Sequence, residues 1–261
     1  MTKRSAEDER AAPDALVALI PVCWNEDQTE ILSQVHPDVW AEPLEILSPD
    51  TSAVAAFRLG DDLPLIELRI DEAIPELCDL VATAKEPFTP TEAIQLEGHD
   101  AIWRLTMAQI SEQPIARAHG FARIVATAIE AGASGAFFPM CAQLHSPRLI
   151  KHLAVDFRQP PSLVNLYVNA WNDDQWMVTR GLTVFGLPEL ETPIKSGLND
   201  AYFRLMDVAA GMLVQRDAYP AGANLQMGPH RYTVERGPAG PDDIMVPVCG
   251  AFGRLSIMQS D

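Results

Sequence analysis

The sequence predicts an α+β fold, an antiparallel-rich mixed sheet with helices packed on one face. Three observations carry that expectation. Short runs rich in β-branched and aromatic residues are separated by tight-turn residues, the pattern of hairpins. Between them lie segments with apolar residues at helical spacing, above all Pro114 to Ala131 and Asn199 to Gln215. Strands and helices do not alternate strictly, so a purely parallel sheet is disfavoured.

In chain order, Leu16 to Val22 is a continuous apolar run and reads as a buried strand. Asn25 caps a short predicted helix through Val35, and Pro37, Pro43 and Pro49 punctuate a loop. Val54 to Leu59 and Leu65 to Ile70 read as strands around Gly60-Asp61-Asp62, and Pro75 opens a helix over Ile74 to Ala84. Ala93 to Leu96 and Ala101 to Met107 flank Glu97-Gly98-His99-Asp100 as a further hairpin. Pro114 to Ala131 is a helix, with Gly132 placed to end it. Gly135 to Met140 is a short strand and Pro147 to Val155 a helix, which implies a crossover into a strand at Val168.

The most strongly patterned stretch is Leu163 to Thr192. Leu163 to Ala170 and Trp176 to Phe185 read as strands joined through Asn172, Asp173 and Asp174, whose side chains bond to their own backbone in turns. The second strand is expected to continue to Glu191. Leu225 to Glu235 and Ala251 to Met258 then close the sheet, separated by the loop Pro238 to Asp243. The passages Ala93–Ala131 and Leu163–Gln215 each read as a hairpin followed by a helix, two candidate halves of a duplication.

The segment Gly181-Leu182-Thr183-Val184-Phe185-Gly186-Leu187-Pro188-Glu189-Leu190-Glu191 resembles part of a mostly bacterial family, domain of unknown function 4261 (DUF4261). The resemblance is clearest over residues 163–233. It implies an amphipathic helix after this segment, here Asn199 to Gln215, and a Gly-containing turn, Ala221 to Asn224, into a last pair of strands. Relatives have an acidic, Thr-containing turn where this chain has Tyr219-Pro220-Ala221-Gly222. The family lends an expected fold and no activity.

Residues 1–14 read as a disordered tail, 15–160 as an N-terminal α/β part, and 161–261 as a C-terminal part packed with it into one compact unit. The net charge of −17, from 36 acidic and 19 basic residues, disfavours nucleic acid, whose phosphates need a concentrated cationic surface. It favours a protein partner, a basic one in particular; a homo-oligomer is compatible with the sequence. No run approaches the roughly 20 apolar residues of a membrane span, and the N-terminus is a poor signal peptide, so a soluble cytoplasmic protein is expected. The four cysteines are far apart and read as reduced, mostly buried thiols.

Chemistry-bearing candidates are few. Cys141 and His145 are four apart, the minimum for a thiol nucleophile and its base, with no third group. The six histidines are scattered, so no metal site is expected, and no phosphate loop or other cofactor motif is present. Glu189 and Glu191, two apart on an extended segment, share one side. Such a pair holds a cation or tunes one carboxyl's pKa. The structural alternative has one anchoring a neighbouring backbone and the other pairing with Arg180 or Arg204. The candidate binding set is Arg180, Glu189, Glu191, Trp171, Trp176 and His230, the tryptophans as an aromatic patch. Three functions follow: a non-enzymatic protein-binding module in an immunity or stress setting, an enzyme or small-ligand protein with its site near Glu189 and Glu191, and a subunit of a larger assembly.

Overall fold

A computed structural model describes residues 15–23, 55–57, 66–108, 113–195, 197–237 and 253–260. The predicted tail, the Asn25 helix, the proline-punctuated loop, the turn at Gly60 and the loop Pro238 to Asp243 lie outside the described residues. The chain is α+β, with mostly antiparallel strands in two six-stranded sheets. It divides between Arg158 and Gln159 into two compact units.

The N-terminal unit is built on β1 (Ala15–Val22), an apolar run buried at nearly every position. It pairs antiparallel with β4 (Ala101–Ala108) from Ala15↔Ala108 to Val22↔Ala101. β2 (Ala55–Phe57) and β3 (Ile66–Glu72) extend the sheet beyond β4, and the hairpin β5 (Ala136–Phe138) and β6 (Gln143–His145) extends it beyond β1. A 3-10 helix, Pro75–Thr83, follows β3.

Helix α1 (Pro90–Glu97) occupies the place of the predicted strand Ala93 to Leu96. Its N-terminus decides the matter: the Thr89 hydroxyl accepts from the Glu92 N–H while the Glu92 carboxylate accepts from the Thr89 N–H, a capping box. With α1 a helix, Ala93–Ala131 runs helix, strand, helix and does not match Leu163–Gln215. The next helix, α2 (Pro114–Glu130), is as predicted and buries Phe121, Val125 and Ile129. Gly132 follows with φ +101°, a left-handed conformation that ends the helix cheaply. After β6, Ser146 caps α3 (Pro147–Ala154) by accepting from the Leu149 N–H.

The C-terminal unit opens with a second departure. Leu163 to Tyr167 belongs to helix α4 (Pro160–Tyr167), not to a strand. Two prolines occupy its first positions, and Leu163, Val164, Leu166 and Tyr167 are buried at helical spacing; a short apolar run alone does not separate helix from strand. The hairpin is shorter than predicted, β7 (Asn169–Asn172) with β8 (Trp176–Arg180). Its turn is the expected one: Asp173 Oδ1 accepts from the Gln175 and Trp176 N–H groups at 2.7 and 2.6 Å. Because β5 and β7 belong to different sheets, the expected crossover is absent.

β9 (Glu189–Pro193) is the centre of this unit, buried at all five positions. It lies between β8, antiparallel, and β12 (Arg254–Gln259), parallel. Helix α5 (Leu198–Gln215) contacts β8 and β9. The predicted strand Leu225 to Glu235 is the hairpin β10 (Asn224–Met227) and β11 (His230–Arg236), turning at Gly228. β11 then pairs with β12, completing the order β10-β11-β12-β9-β8-β7.

Candidate functional site

The stretch from Gly181 to Glu191 does not continue β8. A four-residue 3-10 turn, Leu182–Phe185, is bracketed by Gly181 and Gly186, both left-handed at φ +119° and +72°. The two glycines let the chain reverse tightly where side-chain-bearing residues would be strained. Glu189 fastens this turn from the far side. One carboxylate oxygen accepts from the Gly181 N–H at 2.8 Å and the Thr183 N–H at 3.4 Å; the other takes the Thr179 hydroxyl at 2.7 Å. The Thr179 oxygen in turn accepts from the Leu190 N–H at 2.7 Å. Burial pushes the Glu189 carboxyl above the usual carboxylate range, against these hydrogen bonds, which favour the ionised form.

Glu191 is equally buried and has different partners. Arg254 Nη1 donates to it at 2.8 Å and the Ser256 hydroxyl donates to its other oxygen. The pair is shut away from water, with side-chain exposures of 7% for Arg254 and 0% for Glu191. The next residue, Thr192, donates to the Ile257 carbonyl and accepts from Arg204 Nη1, both at 2.8 Å. The Arg204 guanidinium also lies over the Tyr232 ring, 4.5 Å from its centroid. Both carboxylates are therefore enclosed by protein donors, Glu189 by backbone N–H groups and Thr179, and Glu191 by Ser256 and by Arg254, a cation the sequence did not single out.

The other candidates scatter. Arg180 is half-buried at the end of β8, opposite Asn169. Trp171, 40% exposed on the edge strand β7, faces Val178 across the hairpin, whereas Trp176 faces Pro193 on β9, so the tryptophans are not cross-strand partners. His230 is exposed at the start of β11, against Tyr232. It lies six residues from Arg236, which spans about 20 Å of strand, so it does not join the carboxylates in one site. Cys141 and His145 are wholly buried, the thiol donating to the Phe138 carbonyl and the imidazole edge-on to the Phe138 ring. Cys23, by contrast, is exposed. Among the described residues no three His, Cys, Asp or Glu side chains gather as metal ligands, and no helix is long and apolar enough to cross a membrane.

Next to the carboxylates is a cleft of about 600 Å³, at the end of the sheet where β9 and β12 begin and β11 ends. Gly186 and Pro188 form one wall, Asp217 and Tyr219 from the segment after α5 another, Arg236 and Arg254 a third. The sequence signals here were partial. Arg236 and Tyr219 stand out as neighbours of a loop and an unusual turn, whereas Arg254 and Asp217 carry no motif and reach the cleft only through the pairing of strands far apart in sequence. No family model, curated protein or solved structure matches this chain.

Proposed function

We propose that this protein binds a small zwitterionic molecule in the cleft of its C-terminal unit. The observation behind this reading is the cleft's polarity. Arg236 brings positive charge to one wall, beside Arg254, whose own charge is met by Glu191. Asp217 brings negative charge to another, directly after the C-terminal end of α5, where the helix dipole is itself negative. A ligand with separated cationic and anionic groups complements both walls, and a volume of about 600 Å³ lies within the range of small-molecule sites. Glu191 supports the arrangement by holding the Arg254 side chain, which reduces the ordering cost on binding.

The test is thermal denaturation with each of the standard L-amino acids, alongside the matching amines and carboxylic acids. Stabilisation by one or more zwitterions, absent from their singly charged counterparts and lost in Arg236→Gln and Asp217→Asn, is the expected result. No response to any zwitterion, or equal responses to the singly charged controls, overturns the reading.

A second reading, capture of a basic protein partner, is favoured by the net charge of −17. Retention on an immobilised basic protein that falls steeply with salt and with charge reversal of exposed acids supports it; salt-independent behaviour counts against it.

A further inference from the structure

The acidity of the chain is not uniform. From Pro114 to Arg158 there are five basic residues, Arg117, Arg123, Arg148, Lys151 and Arg158, against two acidic ones, Glu130 and Asp156. Helices α2 and α3 enclose a groove of about 200 Å³ in this passage, lined by Arg123, Thr127 and Glu130 from α2 and by Lys151, Val155 and Phe157 from α3 and its continuation. His119 stands one turn before Arg123 on α2. Arg158, exposed just beyond α3, is close enough to act electrostatically on both. Burial first, then the charges of Arg123 and Arg158, hold the His119 imidazole below its ordinary value. Glu130 is the carboxylate lining the groove among the described residues, two helical turns from Arg123 and so about 10 Å along the axis.

We propose that this groove is an oxyanion site for a phosphate group, held by its lining cations Arg123 and Lys151, with Arg158 and His119 nearby. In a chain with nearly twice as many acidic as basic residues, close-set cations repel one another and gain most from a divalent anion. Arginine forks match tetrahedral oxyanions with paired hydrogen bonds. The groove's volume admits a phosphate group. The site lies wholly in the N-terminal unit and is independent of the cleft described above.

His119 is the reporter. Sulfate keeps its double charge across the imidazole titration, so the His119 ring is titrated by NMR in sodium sulfate and in sodium chloride at equal ionic strength. A higher His119 pKa in sulfate is expected, because a bound dianion favours the imidazolium. Inorganic phosphate at pH 7.5 should then bind saturably, with affinity at least tenfold lower in Arg158→Gln, an exposed position at which folding is retained. Glycerol 2-phosphate, compared with inorganic phosphate, distinguishes an ester ligand from the free ion, and preference for either supports the site. An identical His119 titration in the two salts, or unchanged phosphate affinity in Arg158→Gln, overturns the proposal.

Discussion

Glu189 offers the sharpest test of how the C-terminal unit is held together. Replacing it with alanine leaves the Gly181 and Thr183 N–H groups and the Thr179 hydroxyl without their acceptor, all at buried positions. An orphaned buried donor costs about 1–3 kcal/mol, and water entering the vacated space recovers part of it. We expect Glu189→Ala to lose roughly 3–5 kcal/mol, a large share of the 5–15 kcal/mol typical of a domain. Glu189→Gln is different. Its carbonyl can face the two backbone donors and its NH₂ can donate to Thr179, whose hydroxyl then turns to the Leu190 carbonyl, 3.4 Å away. Its expected cost at neutral pH is under about 1 kcal/mol, and a gain is allowed because glutamine avoids burying a charge. The pH dependence separates the two effects. A folded-state pKa raised above the unfolded value means the folded protein holds the proton more tightly. That stability is fully present below the unfolded pKa and is lost as pH rises through the folded pKa. Glutamine does not titrate, so Glu189→Gln should gain on the wild type as pH rises across the carboxylate range and above, then level off. Urea unfolding followed by tryptophan fluorescence at a series of pH values measures this. A pH-independent difference, or Glu189→Gln as damaging as Glu189→Ala, refutes the account.

Two further outcomes follow from the same region. Arg254→Met strands the buried Glu191 carboxylate and should cost about 3–5 kcal/mol, whereas Glu191→Leu/Arg254→Met together should recover much of it, since an apolar pair tolerates burial; a double-mutant cycle by urea unfolding reports the coupling. Gly211→Ala would place a Cβ 2.5 Å from the Tyr219 hydroxyl, so the tyrosine must move from the cleft it lines. Alanine's helix propensity, better than glycine's by about 1 kcal/mol, should offset the strain, leaving a near-normal melting temperature but a changed Tyr219 environment, read from tyrosine NMR shifts.

What was legible in the sequence was local. The helix Pro114–Glu130 announced itself by seventeen residues of regular apolar spacing with a proline at its start, and the hairpin turn at Asp173 by residues whose side chains build turns on their own. Errors arose where a short apolar segment fitted both periods. Leu163 to Tyr167 and Ala93 to Leu96 became helices because Pro160 and the Thr89–Glu92 box start them, signals that lie before the run itself. The turn at Gly181 was unreadable as a turn for another reason. Its residues Leu182 to Phe185 are buried and apolar, so they resemble a strand, and the group that stabilises them is a carboxylate several residues later. The carboxylate pair was visible as a pair. Its partners were not, because Arg254 and Ser256 lie 63 and 65 positions away and are delivered by a parallel strand pairing no local pattern encodes.

That parallel pairing shows what the buried polar residues of β9 accomplish. In a sheet otherwise joined by antiparallel pairs, β9 and β12 meet with Glu189 beside Arg254 and Glu191 beside Ser256. Both strands are largely buried, so apolar packing alone would tolerate a shift between them. A slip of one residue exchanges the faces, moving Glu191 off its Arg254 and Ser256 donors and Thr192 off the Ile257 carbonyl. Each displaced group would then be buried without a partner, at a cost comparable to much of the domain's stability. Glu191 and Thr192 thus select one register, and because the cleft is walled by the residues just before β9 and by the first residues of β12, that register also sets the spacing of those walls. Two acidic residues that resemble a catalytic pair in sequence act structurally, Glu189 by fastening the turn at Gly181 and Glu191 by fixing where Arg254 stands.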